Sequence, residues 1–398
     1  MKNVINYLSA YFTYTCLLAL CMISFALPSS AQFKLRLIVT NNATLHKADP
    51  VFVAGNFNDW NPGDTSYQLK QENNQFLFEL QNLNSSVYEF KFTRGGWGKE
   101  ACNLFGNSLG NIVLQLSSDS TVYLTIEAWK DDFPPKEKKH TALSNVRLVD
   151  TAFYIPQLNR SRKVMIYLPD GYEKSLKHYP VLYMHDGQNL FDEFAAGYGE
   201  WGVDECLDSL IKKGKKACIV IAIDNGPKRL NEYNPFYFEK FGKGEGEAYL
   251  NFIVETLKPF IDKNYRTLKN KENTIIAGSS MGGLISYYAY LKYPNVFGKA
   301  GIFSPAFWTA DGIKQMTDSL GENREGMLFF YMGGLEGEKY ITDMFKVCES
   351  IANNSHSFIY TVIDEKGQHN EQAWRKWFAE FYLWITADGN NYIIKTSD

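Results

Sequence analysis

The sequence predicts a small all-β sandwich followed by an α/β domain, in which a mostly parallel sheet is covered by helices on both faces. Three observations carry this. Residues 33 to 129 hold short apolar strands separated by clusters of Asn, Gly, Asp and Ser. From about residue 142, near-continuous apolar runs alternate with amphipathic stretches, the pattern of parallel strands buried on both sides. Between the two lies "KDDFPPKEKKHT", residues 130–141, which is charged, contains Pro134-Pro135 and lacks an apolar period.

The chain begins with an export-like segment. After Lys2, "YLSAYFTYTCLLALCMISFALPSSAQ" is apolar to Leu27 and breaks at Pro28. Ser29 and Ala31 stand at the spacing a signal peptidase reads, so residues 1–31 are expected to be a leader cleaved after Ala31. The protein is then expected outside the cytoplasm, periplasmic or secreted in a bacterium. The alternative is a retained anchor, since residues 8–27 are just long enough to span a bilayer. Cys21 makes a poor lipoprotein site because Leu20 is bulky where a small residue is required. Once the leader is removed, no other stretch is apolar enough to span a membrane.

Residues 32–129 form the expected sandwich, immunoglobulin-like in strand number and spacing. Its strands are "FKLRLIVT", "PVFVAGN", "QFLFEL", "VYEFKFT", "NIVLQL" and "TVYLTIEAW". Residues 142–388 form the α/β domain, with strands "KVMIYLP", "PVLYMHD", "ACIVIAID", "NTIIAG", "AGIFS", "MLFFYMG" and "FIYTVID". Helical stretches at 246–263, 283–293, 340–353 and 370–386 lie between or after them, and 389–398 is a tail. In such sheets ligands bind beyond the carboxyl ends of the strands.

Composition excludes little. The 398 residues are 45% apolar and 21% charged, an ordinary globular balance. A net charge of -3 supplies no basic field for nucleic acid. The 25 Tyr, 28 Phe and 8 Trp suit stacking on sugar faces, and suit a β-rich core equally well. Beyond the leader, Cys102, Cys206, Cys218 and Cys348 are scattered, with neither a CxxC pair nor zinc spacing. No metal or cofactor is expected.

The chemistry concentrates at one strand end. In "NTIIAGSSMGG", Gly278-Ser279-Ser280-Met281-Gly282 matches G-x-S-x-G with Ser280 central, after a buried strand and at the start of a helix. The flanking positions must be nearly bare so that strand and helix approach closely. Ser280 then projects its hydroxyl outward and the Met281 N–H points into an oxyanion hole. A chain of this length gives on the order of 0.1–0.2 chance matches, and the strand-then-helix context lowers that further. Ser279 occupies the variable position and should face the packing.

A serine needs a base. His46 falls in the β domain, His140 in the linker, His178 in a polar loop, and His356 before a strand, at the wrong end of the sheet. His185 ends a strand but precedes the serine. His369, in "VIDEKGQHNEQAW", follows the last strand and precedes the last helix, where the order Ser, acid, His places the base. The acid should end the preceding strand. Glu336 in "MLFFYMGGLEGEKY" fits best, and Glu338, Asp343 and Asp364 remain rivals. It would fix the His tautomer and stabilise the imidazolium. The second oxyanion N–H is expected from "HDGQNLFD", at Gly187 or Gln188.

Together these residues resemble the esterase-D-like branch of the α/β-hydrolases. The branch includes feruloyl and acetyl xylan esterases of carbohydrate esterase family 1, S-formylglutathione hydrolase, mycolyltransferases and enterochelin esterases. The resemblance spans about 142–388 and rests on "YLPDGY", "YPVLYMHDGQNLFD", "GSSMGG", "FSPAFW", "GGLEGE" and "GQHNEQAW". It implies an α/β-hydrolase fold and triad roles for Ser280, Glu336 and His369. "RLNEYNP" and Trp308 resemble pocket-lining segments, with Arg229 available to an anionic or polar group.

The N-terminal stretch looks like a family-48 carbohydrate-binding module, on "VFVAGNFNDWNP", "YEFKF", "GGW" and "SLGNIVLQL". That likeness implies a glucan cradle at Trp60, Lys91, Trp97 and Asn111, beside Leu109, although "GKEACNLFGNS" departs from the pattern. The expectation is an exported serine esterase acting on feruloyl or acetyl groups of polysaccharide. A siderophore or other small-molecule esterase, and a glycan-binding protein with an inactive hydrolase domain, are the alternatives.

Overall fold

The computed structural model describes residues 32–387, apart from 59, 74, 135, 136 and 323. The leader read at 1–31 and the tail at 389–398 lie outside the described residues. The chain divides into units at 1–136 and 137–398.

In the first unit, strand Phe33–Asn41 pairs antiparallel with Gln75–Leu83 and parallel with Ser120–Ile126. A second sheet joins Phe52–Gly55, Ser86–Thr93 and Ile112–Leu116 in antiparallel order. Both sheets feed one core of alternate inward residues, among them Leu35, Leu37, Val39, Val53, Phe90, Phe92 and Ile126. Trp129 is fully buried in it, and Arg94 stacks near its ring while pairing with Asp49 and Asp131. Lys130 reaches Glu100. Residues 130–132, read above as linker, are thus held by this unit.

In the second unit an eight-stranded sheet is built from β1 (Val146–Ile155), β2 (Arg160–Tyr167), β3 (Val181–His185), β4 (Ile219–Ile223), β5 (Thr274–Ser279), β6 (Lys299–Phe303), β7 (Met327–Gly333) and β8 (Phe358–Asp364). Their order is β1-β2-β4-β3-β5-β6-β7-β8; the pairs β1–β2 and β2–β4 are antiparallel and the rest parallel. Every residue of β3, β4, β5 and β7 is buried, which is why these read as unbroken apolar runs. The edge strand β1 is half polar and escaped the sequence reading.

The main helices are α1 (Val203–Lys212), α2 (Gly246–Asn251, continuing through a π-helical turn at Phe252–Leu257 and Lys258–Asn264), α3 (Met281–Lys292), α4 (Ile313–Leu320), α5 (Glu338–Asn354) and α6 (Glu371–Ile385). All of α3 except its last residue is buried, so its sequence lacks a polar face. One core lies on the α2–α3–α5 side of the sheet and another on the α1–α6 side. Residues 140 and 141, also read as linker, are fastened to this unit: His140 and Thr141 bond Asp192, and Thr141 bonds Glu200. The chain reverses direction across the sheet at β3, so the loops after β3 and β5 border a crevice at the carboxyl edge.

Candidate active site

Ser280 sits at the tip of a sharp turn between β5 and α3, with φ 57° and ψ −120°. This conformation is strained for a residue with a Cβ and persists because the surroundings impose it. The Ser280 N–H donates to the Phe303 carbonyl at 2.8 Å, and its own carbonyl accepts from Leu284 at 3.1 Å and Ala306 at 3.0 Å. A Cβ on Gly278 would stand 2.9 Å from the Gly282 backbone and 3.0 Å from the His185 ring, so only glycine permits the approach. Ser279 is buried in the β5–β6 pairing, whereas Ser280 is half-buried. Met281 opens α3, where helix geometry leaves its N–H without an intrahelical acceptor.

Among the acid candidates, Glu336 in the turn after β7 is the one bonded to His369. Its Oε2 lies 2.6 Å from His369 Nδ1, and its Oε1 accepts from Ser304 Oγ at 2.6 Å and the Gly333 N–H at 2.8 Å. Its side chain is 4% exposed, against 48% for His369. Ser304 Oγ accepts in turn from the Trp374 indole at 2.9 Å, and that ring meets His369 edge-on at 5.1 Å. The rivals are engaged elsewhere or face solvent: Asp364 takes Lys376 and Trp377, Asp343 takes Lys346, and Glu338 is exposed at the start of α5. Ser304 and Trp374 were not read as site residues. The clue available was "FSPAFW", whose serine adopts φ 43°.

Ser280, Glu336 and His369 follow β5, β7 and β8 at one end of the sheet. Among the described residues no hydrogen bond joins the Ser280 hydroxyl to His369, and such contacts commonly tighten only when substrate is bound.

The loop after β3 is shaped by ion pairing. Asp186 adopts φ 55° and ψ 46°, followed by a helical turn at Gly187–Asn189. Gly187 is pressed on the β4 backbone, where a Cβ would stand 2.8 Å from Ala222 and Ile223. Gln188 is half-buried and its Oε1 accepts from the Asn225 N–H at 3.2 Å. Of the two expected donors, Gly187 is buried and Gln188 half-buried.

Arg229, expected beside the pocket, is paired with the loop after β3. Its Nε and one terminal nitrogen donate to the two Asp186 oxygens at 2.7 and 2.8 Å, and Asn225 adds a third bond. Burial would raise the Asp186 pKa, but Arg229 and Asn225 hold it below the usual carboxylate value. His185 beneath this loop is pushed down to about 3, chiefly by burial, and so is neutral; its Nδ1 meets the Tyr249 hydroxyl at 2.9 Å.

Trp308 is 41% exposed and packs edge-on against Phe238 at 5.7 Å. Its neighbours Ala306 and Thr309 contact Ser280 and Met281, so this segment of chain runs next to the Ser280 turn. In the first unit, Trp60 and Trp97 are neighbours with ring centroids 6.4 Å apart, and Trp97 is 38% exposed. Lys91 is paired with Glu100, and Asn111 donates to Glu89. Among the described residues one carboxylate group could chelate a cation: Glu200, Asp204 and Glu205, with oxygens within 4.8 Å of one another. Thr141 and Arg375 bond Glu200, and the Leu143 N–H bonds Asp204.

Comparison with known proteins fits this geometry. The sequence pattern of the family described as "Putative esterase" matches residues 155–385, more than half of the chain. An endo-1,4-beta-xylanase/feruloyl esterase of Xylanibacter ruminicola is 28% identical over 191 residues, covering 46% of this chain and 25% of that longer protein. The uncharacterized protein YbbA of Bacillus subtilis is 29% identical over 186 residues, 45% of this chain and 70% of its own length. Among solved structures, the enterobactin esterase FES of Shigella flexneri superposes with a TM-score of 0.52 at 14% identity, covering 89% of this chain and 92% of that one. At that identity the likeness is one of fold.

Proposed function

We propose that this chain, which belongs to the esterase family over residues 155–385, hydrolyses carboxylic esters by a serine mechanism. The observation that carries the reading is the Glu336–His369 pair at 2.6 Å, at the same sheet end as the strained Ser280 turn. Ser280 Oγ attacks the acyl carbon and gives its proton to His369 Nε2. Glu336 holds Nδ1 and offsets the imidazolium charge. The Met281 and Gln188 N–H groups receive the oxyanion, each typically contributing about 3–4 kcal/mol. The imidazolium returns the proton to the departing alcohol, and water repeats the cycle on the acyl-enzyme.

The substrate we favour is a feruloyl or acetyl ester on polysaccharide. The Xylanibacter relative supports it, as do the exposed Trp308 and, within the first unit, the neighbouring rings of Trp60 and Trp97, whose faces suit sugar rings. The first unit would then be a carbohydrate-binding module, and the segment 1–31 an export leader. The competing reading is a siderophore esterase, with the same chemistry and no glycan.

Hydrolysis of methyl ferulate and p-nitrophenyl acetate by wild type and Ser280→Ala tests the mechanism, and retention on insoluble xylan or glucan tests the module. Turnover lost in the mutant is expected, with retention weakened by Trp97→Ala. Turnover of a catecholate trilactone alone, without glycan retention, favours the siderophore reading. Normal turnover in Ser280→Ala contradicts the mechanism.

A further inference from the structure

We propose that Glu371 is a positioning residue which, through Asn189, fixes the oxyanion donor Gln188 relative to the base His369. The proposal rests on the esterase reading above. Asn189 directly follows Gln188, and Glu371 stands two residues after His369. The Asn189 side-chain amide donates to Glu371 Oε1 at 3.2 Å, across 182 positions of sequence. Both residues are buried.

Asn189 is held on every side. Its N–H donates to the Asp186 carbonyl at 2.9 Å, its side-chain oxygen accepts from the Gly197 N–H at 3.0 Å, and its carbonyl accepts from the Trp201 N–H at 2.8 Å. Glu371 is equally fixed, as the first residue of α6, whose cap Asn370 accepts from the Ala373 N–H at 3.0 Å. The bond therefore joins two rigid segments. One carries the donor that meets the oxyanion, and the other carries the base.

Stability alone does not account for a carboxyl group here. Among the described residues Glu371 has no hydrogen-bonded cation, only the Asn189 amide and its own backbone N–H, and a buried charge so placed is costly. Burial is the largest influence on it and raises its pKa, Asp186 adds to the rise, and its own backbone N–H, His369 and Arg229 oppose it. A glutamine would pack at lower cost. Unfavourable polar groups of this kind concentrate at functional sites.

The test exchanges donor and acceptor. Asn189→Asp sets two carboxylates against each other. It is expected to lower kcat roughly ten- to a hundredfold with KM little changed, since small displacements of reacting groups cost that much. Affinity for phenylboronic acid, a mimic of the tetrahedral state, should fall by the same factor. Glu371→Gln keeps an acceptor and should lose less. In Asn189→Asp/Glu371→Gln the amide lies on the other partner and the bond is restored, so kcat and boronate affinity should recover most of the loss. Should Asn189→Asp not fold, Asn189→Ala deletes the donor without adding charge, and the same loss of kcat and boronate affinity is expected. An Asn189→Asp or Asn189→Ala chain that folds with unchanged kcat and boronate affinity overturns the proposal, as does a folded double variant that recovers neither. Absence of Ser280-dependent turnover in wild type is a distinct result: it refutes the esterase reading itself, and this inference with it.

Discussion

Glu336 Oε2 stands 2.6 Å from His369 Nδ1 while Glu336 Oε1 is held by Ser304 and the Gly333 backbone. The carboxylate cannot turn without breaking two further bonds, so the imidazole it orients is fixed as well. Of the four sequence candidates, Glu336 is the one bonded to His369 among the described residues. Glu336→Gln is expected to lower kcat roughly a thousandfold or more, the scale seen when a triad acid loses its charge. Glu338→Gln and Asp364→Asn should stay within about twofold of wild type, as expected for side chains outside the machinery. Steady-state kinetics on one activated ester separates them.

Ser304 and Trp374 extend the same relay. Removing the hydroxyl in Ser304→Ala takes one of two bonds from Glu336 Oε1, the Gly333 N–H remaining, and leaves the buried Trp374 N–H unpaired. A loss of roughly tenfold in kcat is expected, near the 1.4 kcal/mol that one hydrogen bond to a charged group contributes. KM should hardly move. Trp374→Phe keeps the Ser304–Glu336 bond and should cost less activity than Ser304→Ala.

Arg229 supports the oxyanion loop through Asp186, so its loss should register in stability as well as rate. Arg229→Ala leaves a buried aspartate without its charge partner. A destabilisation of about 2 kcal/mol is expected, below the figure for a wholly buried pair because the Arg229 side chain is a quarter exposed. Asp186→Asn with Arg229→Ala should regain part of it. Urea unfolding of the three variants checks this; an Arg229→Ala chain as stable as wild type would contradict the bracing role.

Asp204 gives a pH prediction. Burial, aided by Glu205, raises its pKa to about 8 from 3.8, and two bonds to backbone N–H groups only partly oppose this. The folded state therefore keeps a proton that the unfolded chain releases near pH 4. The stability this contributes is whole below about pH 4 and is lost as pH rises through about 8. Asp204→Asn removes that dependence, and its amide can donate to Glu205 as the protonated carboxyl does. Its melting temperature should exceed that of wild type by a few degrees at pH 8 and match it near pH 4. A wild-type and variant pair with the same pH slope would rule this out.

Much of the site was legible in the sequence because backbone geometry writes strong signals. The bare flanks of Ser280 are required by approaches of 3 Å, and buried parallel strands leave unbroken apolar runs such as "IVIAI". Chain order alone pointed to His369. What stayed hidden depends on side chains meeting across long separations. Nothing local to Arg229 tells that it faces Asp186, or that Ser304 would bridge Trp374 and Glu336. The strand Val146–Ile155 went unread because only one of its sides is covered and it carries Arg147, Asp150 and Thr151. Composition marks 130–141 only as charged and unpatterned, and says nothing of the bonds that Lys130, His140 and Thr141 make to Glu100, Asp192 and Glu200.

The most direct test of the central claim is to treat the folded chain with a fluorophosphonate and locate the adduct by peptide mass spectrometry. A serine nucleophile activated by His369 predicts one stoichiometric adduct on Ser280, absent from Ser280→Ala and much slowed in His369→Ala. No adduct on folded protein, or one on Ser279, would contradict it.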